Sequence, residues 1–156
     1  TAEDEMKTLI VCHSQHHGNT ARVGRVIADE LAADVLEPGQ VDAEVLARYD
    51  VVGFGSGIYQ ARVHPDVTRL ASRLGPAGGK RAFLFTTAGN CCEEYHQAFL
   101  DLLRESGFDI VGEFTSEGQD DYRFPGTTLN EGRPDADALE RAREFARGLG
   151  RRLAPV

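Results

Sequence analysis

Short apolar runs recur along the chain, and an amphipathic helical period follows nearly every one. Leu9-Ile10-Val11-Cys12 is the first run, and its β-branched members predict a strand buried on both faces, Lys7 to His13. Val23, Val26, Ile27 and Leu31 then fall on one face of a helix from Thr20 to about Ala33. Asp34 to Glu37 reads as a short second strand closed by Pro38-Gly39, and Val41 to Arg48 as a short helix. Tyr49 to Gly55 is the predicted third strand, followed by a loop from Ser56 to Val63. Pro65 suits the first turn of a helix that turns Val67, Leu70 and Leu74 inward and stops at Gly75-Pro76. Lys80 to Thr86 carries Ala82-Phe83-Leu84-Phe85 as a fourth strand, and Thr87 to Cys92 is the next loop. Glu93 and Glu94 favour a helix start through the dipole, and that helix runs to Ser106-Gly107. Phe108 to Phe114 is the fifth strand, Thr115 to Pro134 a long polar loop, and Asp135 caps a last helix with Leu139, Ala142, Phe145, Ala146 and Leu149 on one face.

Strands that alternate with helices predict an α/β fold of three layers, a five-stranded parallel sheet covered on both faces. Right-handed crossovers in a doubly wound sheet favour strand order 2-1-3-4-5. Ligands then bind at the carboxyl ends of the strands, near the switch between the first and third. The polar loops after strands one, three and four open at that end.

The first of these loops is Ser14-Gln15-His16-His17-Gly18-Asn19-Thr20. A buried strand, a tight polar loop and a helix N-terminus make an anion cradle, in which amides, the helix dipole and hydroxyl donors converge. A plain strand-to-helix turn with an N-cap is the alternative. The loop lacks the Gly-Lys-Ser/Thr ending of a Walker A and the three glycines of a dinucleotide fingerprint. Six residues after Cys12 stands Gly18, where a cysteine phosphatase needs Arg, and Cys12 itself reads as a buried strand residue. The loop after the third strand is Gly55-Ser56-Gly57-Ile58-Tyr59, and the loop after the fourth holds Thr87-Ala88-Gly89-Asn90-Cys91-Cys92.

These three segments, in this order, resemble the cofactor loops of the flavodoxin family, and the likeness covers nearly the whole chain. The resemblance implies a flavodoxin-like fold that binds FMN. Ser14, Gln15, His16, His17, Gly18, Asn19 and Thr20 would wrap its phosphate. His16-His17 departs from the commonest form, which has Thr before the Gly. Ser56, Gly57, Ile58 and Tyr59 would pass beside the flavin ring, with Tyr59 stacked on it and the Gly57 peptide turning to accept from ring N5. Thr87, Ala88, Gly89 and Asn90 would meet the pyrimidine side through backbone amides, which orient the ring and tune its potential. Tyr95 would stack on the other ring face or sit as an ordinary helix tyrosine.

Composition narrows the picture. The chain of 156 residues is long enough for one cored domain from residue 7 on, with residues 1–6 expected as a flexible extension. Its formal charge of −8 argues against nucleic acid and fits an acidic face steered onto a basic partner. No apolar run is long enough for a membrane span, and three cysteines without framework spacing suit a reducing cytoplasm. Cys91-Cys92 reads as a loop pair near the ring, His64 and His96 as exposed helix starts, and no residues stand at metal-ligand spacing beside His13, His16 and His17.

The expected function is thus a low-potential one-electron carrier holding FMN, partnered by basic-faced redox proteins such as a flavodoxin reductase. No catalytic acid or base is required for that. An FMN-dependent quinone or porphyrinogen oxidoreductase, with the 117–134 segment walling a substrate pocket, is the enzymatic alternative. A flavin-free signalling or binding domain of the same topology is the other.

Overall fold

A computed structural model describes residues 6–12, 19–59, 62–63, 65–87, 93–117, 119–123 and 138–153. The strands are β1 (Thr8–Val11), β2 (Asp34–Leu36), β3 (Val51–Tyr59), β4 (Arg62–Val63), β5 (Arg81–Thr87), β6 (Asp109–Glu117) and β7 (Gln119–Arg123). The helices are α1 (Asn19–Leu31), α2 (Ala43–Leu46), α3 (Pro65–Leu74), α4 (Glu93–Glu105) and α5 (Ala138–Leu153). Five strands pair in parallel in the order β2-β1-β3-β5-β6, the expected doubly wound arrangement. β7 adds an antiparallel edge to β6, and β4 folds back on β3.

Alternation along each strand feeds two cores. Leu9, Val11, Val52, Phe54, Ala82 and Leu84 face α3 and α4, where they meet Leu70, Leu74, Phe99 and Leu103. Ile10, Cys12, Phe83 and Phe85 face α1 and α5, with Val23, Ile27, Phe145 and Leu149. β1 is buried along its whole length, as its unbroken apolar run requires.

Two predicted loops are strand instead. β3 does not stop at Gly55 but runs to Tyr59, where Ile58 and Tyr59 pair with Val63 and Arg62 in a hairpin. Gly57 is therefore a strand residue, paired with Thr87, and not the turn residue expected. The long polar loop after β6 likewise begins as strand. Thr115 to Glu117 continue β6, and Gln119 to Arg123 return beside it as β7, with Tyr122 opposite Phe114. Asp120 and Asp121 fall in this edge strand, where charged residue types disfavour pairing with another chain. Phe124, Cys91 and Cys92 lie outside the described residues.

A bulge in β6 reverses the facing of its second half. Ala82 pairs with Ile110 but Phe83 with Gly112, so Val111 is an extra residue. One extra residue exchanges the faces of every later position in the strand. Phe114 thereby joins Phe83 and Phe145 in the core beneath α5, and Glu113 turns toward α4.

Cys12 sits at the end of β1, 1% exposed, and burial pushes its thiol up to about 12 from an ordinary 9.0, with Glu37 adding to the rise and Arg25 opposing it. The folded thiol thus stays protonated where the unfolded one ionises. Its contribution to stability is complete below about pH 9 and is lost as pH rises toward 12. Cys12→Ala is expected to remove a fall of about 1.4 kcal/mol per pH unit from the stability profile above pH 9. Urea unfolding of both proteins at pH 8, 9 and 10 checks this; parallel profiles would refute it.

Candidate functional site

The carboxyl ends of the parallel strands change from apolar to hydroxyl-bearing within one residue of each other. In β3 Phe54 and Gly55 give way to Ser56, and in β5 Phe85 gives way to Thr86 and Thr87. In β6 Phe114 gives way to Thr115. These side chains are buried, and Thr86 pairs across the sheet with Ser56 on one side and Thr115 on the other. A buried polar row at the end of an apolar sheet is costly unless it serves bonding there.

The row joins the predicted segments. Thr20, in the first turn of α1, meets Thr87 with their Oγ1 atoms 2.5 Å apart. Thr87 in turn pairs with Gly57. Gly57 and Thr87 thus share one rung of the sheet, and Thr20 of α1 touches it, so residues from all three sequence-predicted segments meet there. Asn19 opens α1 beside Thr20, so the helix N-terminus faces the same rim. Ile58 and Tyr59 follow in the hairpin, and Tyr95 lies in the first turn of α4. Ser14, Gln15, His16, His17 and Gly18, and Ala88, Gly89 and Asn90, lie outside the described residues. So does His64.

Three comparisons bear on this rim. Residues 10–111 match the model of the flavodoxin domain. The chain belongs to the flavodoxin family. An uncharacterized protein of Methanocaldococcus jannaschii is 37% identical over 150 residues, which cover 92% of this chain and 98% of the relative. Among solved structures, oxidised flavodoxin 2 of Bacillus cereus aligns at a TM-score of 0.69 and 18% identity, over 95% of this chain and 99% of that one. The flavodoxin of Streptococcus pneumoniae TIGR4 aligns at 0.66 and 17%, over 94% and 98%. Likeness at that identity speaks for the fold. Family membership supports, at the family level, an FMN-binding electron carrier.

For this flavodoxin-family chain the described donor set suits such a ligand. Hydroxyls and strand-end amides recognise a phosphate and a heterocycle edge without a charged partner. Among the described residues no group of His, Cys, Asp and Glu is arranged to hold a metal, and no helix is long and apolar enough to cross a membrane.

His96 does not lie at an exposed helix start, the place its sequence position suggests. It is 1% exposed, with Nδ1 2.7 Å from Thr86 Oγ1 and Nε2 3.0 Å from Glu113 Oε1. The signal for burial is in the sequence, since His96 heads the stripe Phe99, Leu100 and Leu103 at helical spacing. A cavity of about 330 Å³ lies at the opposite end of the sheet, near Lys7, Asp34, Arg48 and Tyr49. There the Tyr49 hydroxyl donates to Asp34 at 2.7 Å, and that bond, with burial, raises the tyrosine's pKa. Those groups satisfy each other at the amino ends of the strands, whereas sheets of this type bind ligands at the carboxyl ends.

Proposed function

We propose that the protein binds FMN non-covalently at the carboxyl rim and passes electrons one at a time between redox partners. The meeting of the Gly57–Thr87 rung with Thr20 of α1 carries this reading. FMN, when bound, supplies the redox chemistry. The chain binds and orients it. Ser14, Gln15, His16, His17, Gly18, Asn19 and Thr20 hold the phosphate at the N-terminus of α1. Ser56, Gly57, Ile58 and Tyr59 border the ring on one side, and Thr87, Ala88, Gly89, Asn90 and Tyr95 on the other. The strand ends exclude water from the inner ring edge, since Ser56, Thr86 and Thr87 are buried. The net charge of −8 disfavours further negative charge at the rim and draws in basic-faced partners such as a flavodoxin reductase. Work in the cytoplasm accords with three cysteines that lack framework spacing.

The hairpin β6–β7 widens the sheet beside the rim and gives a second reading some footing. A wall there would make a substrate pocket for a quinone or porphyrinogen oxidoreductase. Steady quinone turnover with a nicotinamide donor and no added reductase would select that reading.

The deciding experiment is a spectrum of the purified protein with and without added FMN. Flavin bands, quenched flavin fluorescence and a stabilisation of about 2.7 kcal/mol at a hundredfold excess over Kd are expected. That corresponds to a rise in Tm of about 5–10 °C for a chain of this size. A protein that ignores added FMN is a flavin-free domain, and the proposal fails.

A further inference from the structure

The carboxyl end of β5 is gripped from both faces of the sheet. Successive strand residues point to opposite faces. Thr87 reaches α1, where its hydroxyl meets that of Thr20 at 2.5 Å. Thr86 reaches α4 on the other face, where its Oγ1 lies 2.7 Å from Nδ1 of His96. All four side chains are buried. Thr20 and Thr87 belong to the segments proposed to hold the cofactor, whereas His96 has no part in the function just described.

His96 is itself held. Its Nε2–H donates to Glu113 Oε1 at 3.0 Å, so a bonded relay runs from β6 through α4 to β5. Glu113 turns to α4 because Val111 is an extra residue in β6. Bulges that re-aim a side chain are over-represented beside functional sites. The Thr86 hydroxyl satisfies Nδ1 as donor or acceptor, since a hydroxyl does both. Buried polar networks of this kind rigidify the elements they join.

The bond has a definite mechanical effect. Thr86 pairs with Ser56 and Thr115, and Thr87 with Gly57 and Ser116. Ladder bonds lie in the sheet and hold β5 sideways. The two hydroxyl bonds oppose movement out of the sheet, toward either helix layer. The chain leaves β5 at Thr87 and resumes as α4 at Glu93. Thr86 and His96 flank that interval, so their bond ties its two ends together.

We propose that His96 is a positioning residue for flavin binding, which acts through Thr86 to set where the end of β5 sits between the two helix layers. This rests on the reading that FMN binds at the rim. Thr87, Ala88, Gly89 and Asn90, which border the ring in that reading, follow Thr86 directly in the chain. His96 therefore serves the ring and not the phosphate. With its bond gone, the strand end is held from one face only, and bound flavin leaves sooner.

The experiment measures FMN and riboflavin binding to Thr86→Val and Thr86→Ser by flavin fluorescence quenching, at a temperature where circular dichroism shows the proteins folded. Valine keeps the shape of threonine without the hydroxyl, and serine keeps the hydroxyl. Thr86→Val is expected to weaken both ligands about fivefold, the factor of one ordinary buried hydrogen bond, mostly through koff. Thr86→Ser is expected to stay within about twofold of wild type, because the bond remains. From the helix side, His96→Gln offers an amide donor and acceptor, and His96→Leu offers neither. The same contrast is expected there. His96→Leu is expected to add little to Thr86→Val, since both remove one bond. A purely structural role would lower the urea midpoints and leave the affinity of the folded protein unmoved.

Wild-type affinity in Thr86→Val and His96→Leu would overturn the proposal. So would a loss confined to FMN, or fully additive losses in the double variant. Should one of the two single variants not fold, the other decides on the same terms. A wild-type protein that takes up neither flavin defeats the proposed function, whereas wild type and variants that bind alike defeat this inference alone.

Discussion

Replacing His96 by Leu is expected to destabilise the protein by about 3 kcal/mol, the upper end for removing a shared hydrogen-bond partner from buried polar groups. The imidazole bonds Glu113 at 3.0 Å and Thr86 at 2.7 Å, and both are taken away at once. Leucine restores apolar contact with Phe99 and Leu103 but supplies no donor to the carboxylate. The remedy comes from the same physics. His96→Leu with Glu113→Leu replaces both ends of the His96–Glu113 bond by apolar groups, so the double variant is expected to be more stable than the sum of the two single losses implies. Urea unfolding of wild type, both singles and the double gives the coupling energy. A single variant within about 0.5 kcal/mol of wild type would show that the relay holds nothing together.

Gly55→Ala is expected to cost about 3 kcal/mol, at the upper end for overpacking a core. A Cβ at Gly55 would lie 2.1 and 2.2 Å from Cζ and Cε2 of Phe85. That ring is fully buried and cannot swing out of the way. On its other side stands Gly24 of α1, where a Cβ would come within 3.2 Å of the same Cζ. The phenyl tip thus fills a notch between β3 and α1 that requires glycine at position 55 and is tight for any side chain at position 24. Phe85→Leu shortens the intruding group, and in the Gly55→Ala background it is expected to return part of the loss despite being harmful alone. Denaturant unfolding of the apo protein measures this. Should Gly55→Ala leave apo stability intact and weaken FMN affinity instead, the glycine would belong to the ligand and not to the core.

Gly55 also shows what the sequence conveys and what it hides. The alternation of apolar runs and amphipathic periods is a local signal, and it places the five parallel strands and their order correctly. The positions of Thr20 and Thr87 at the rim come from that order. Gly55-Ser56-Gly57 reads as a loop because glycines usually mark turns. They are strand residues because Phe85, thirty positions away in the chain, occupies the space of one Cβ and Thr87 offers the other a pairing edge. Only the assembled sheet supplies either fact. β7 is hidden for a related reason, since Gln119-Asp120-Asp121 carries no apolar period and pairs at the edge of the sheet. Glu113 cannot be read at all. Counted from Ile110 it belongs to the face beneath α5, and the extra residue in β6 turns it to α4 and His96. His96 is legible in its spacing to Phe99, Leu100 and Leu103, and its chemistry at a helix start draws attention away from that stripe.

The most direct measurement is backbone amide mapping by NMR as FMN is titrated into the apo protein. Shift changes and slowed hydrogen exchange at Thr20, Ser56, Gly57 and Thr87, together with the segments 13–18 and 88–92, are the predicted outcome. Changes centred on Lys7, Asp34 and Tyr49 at the opposite end of the sheet, or no change at any FMN concentration, would contradict it.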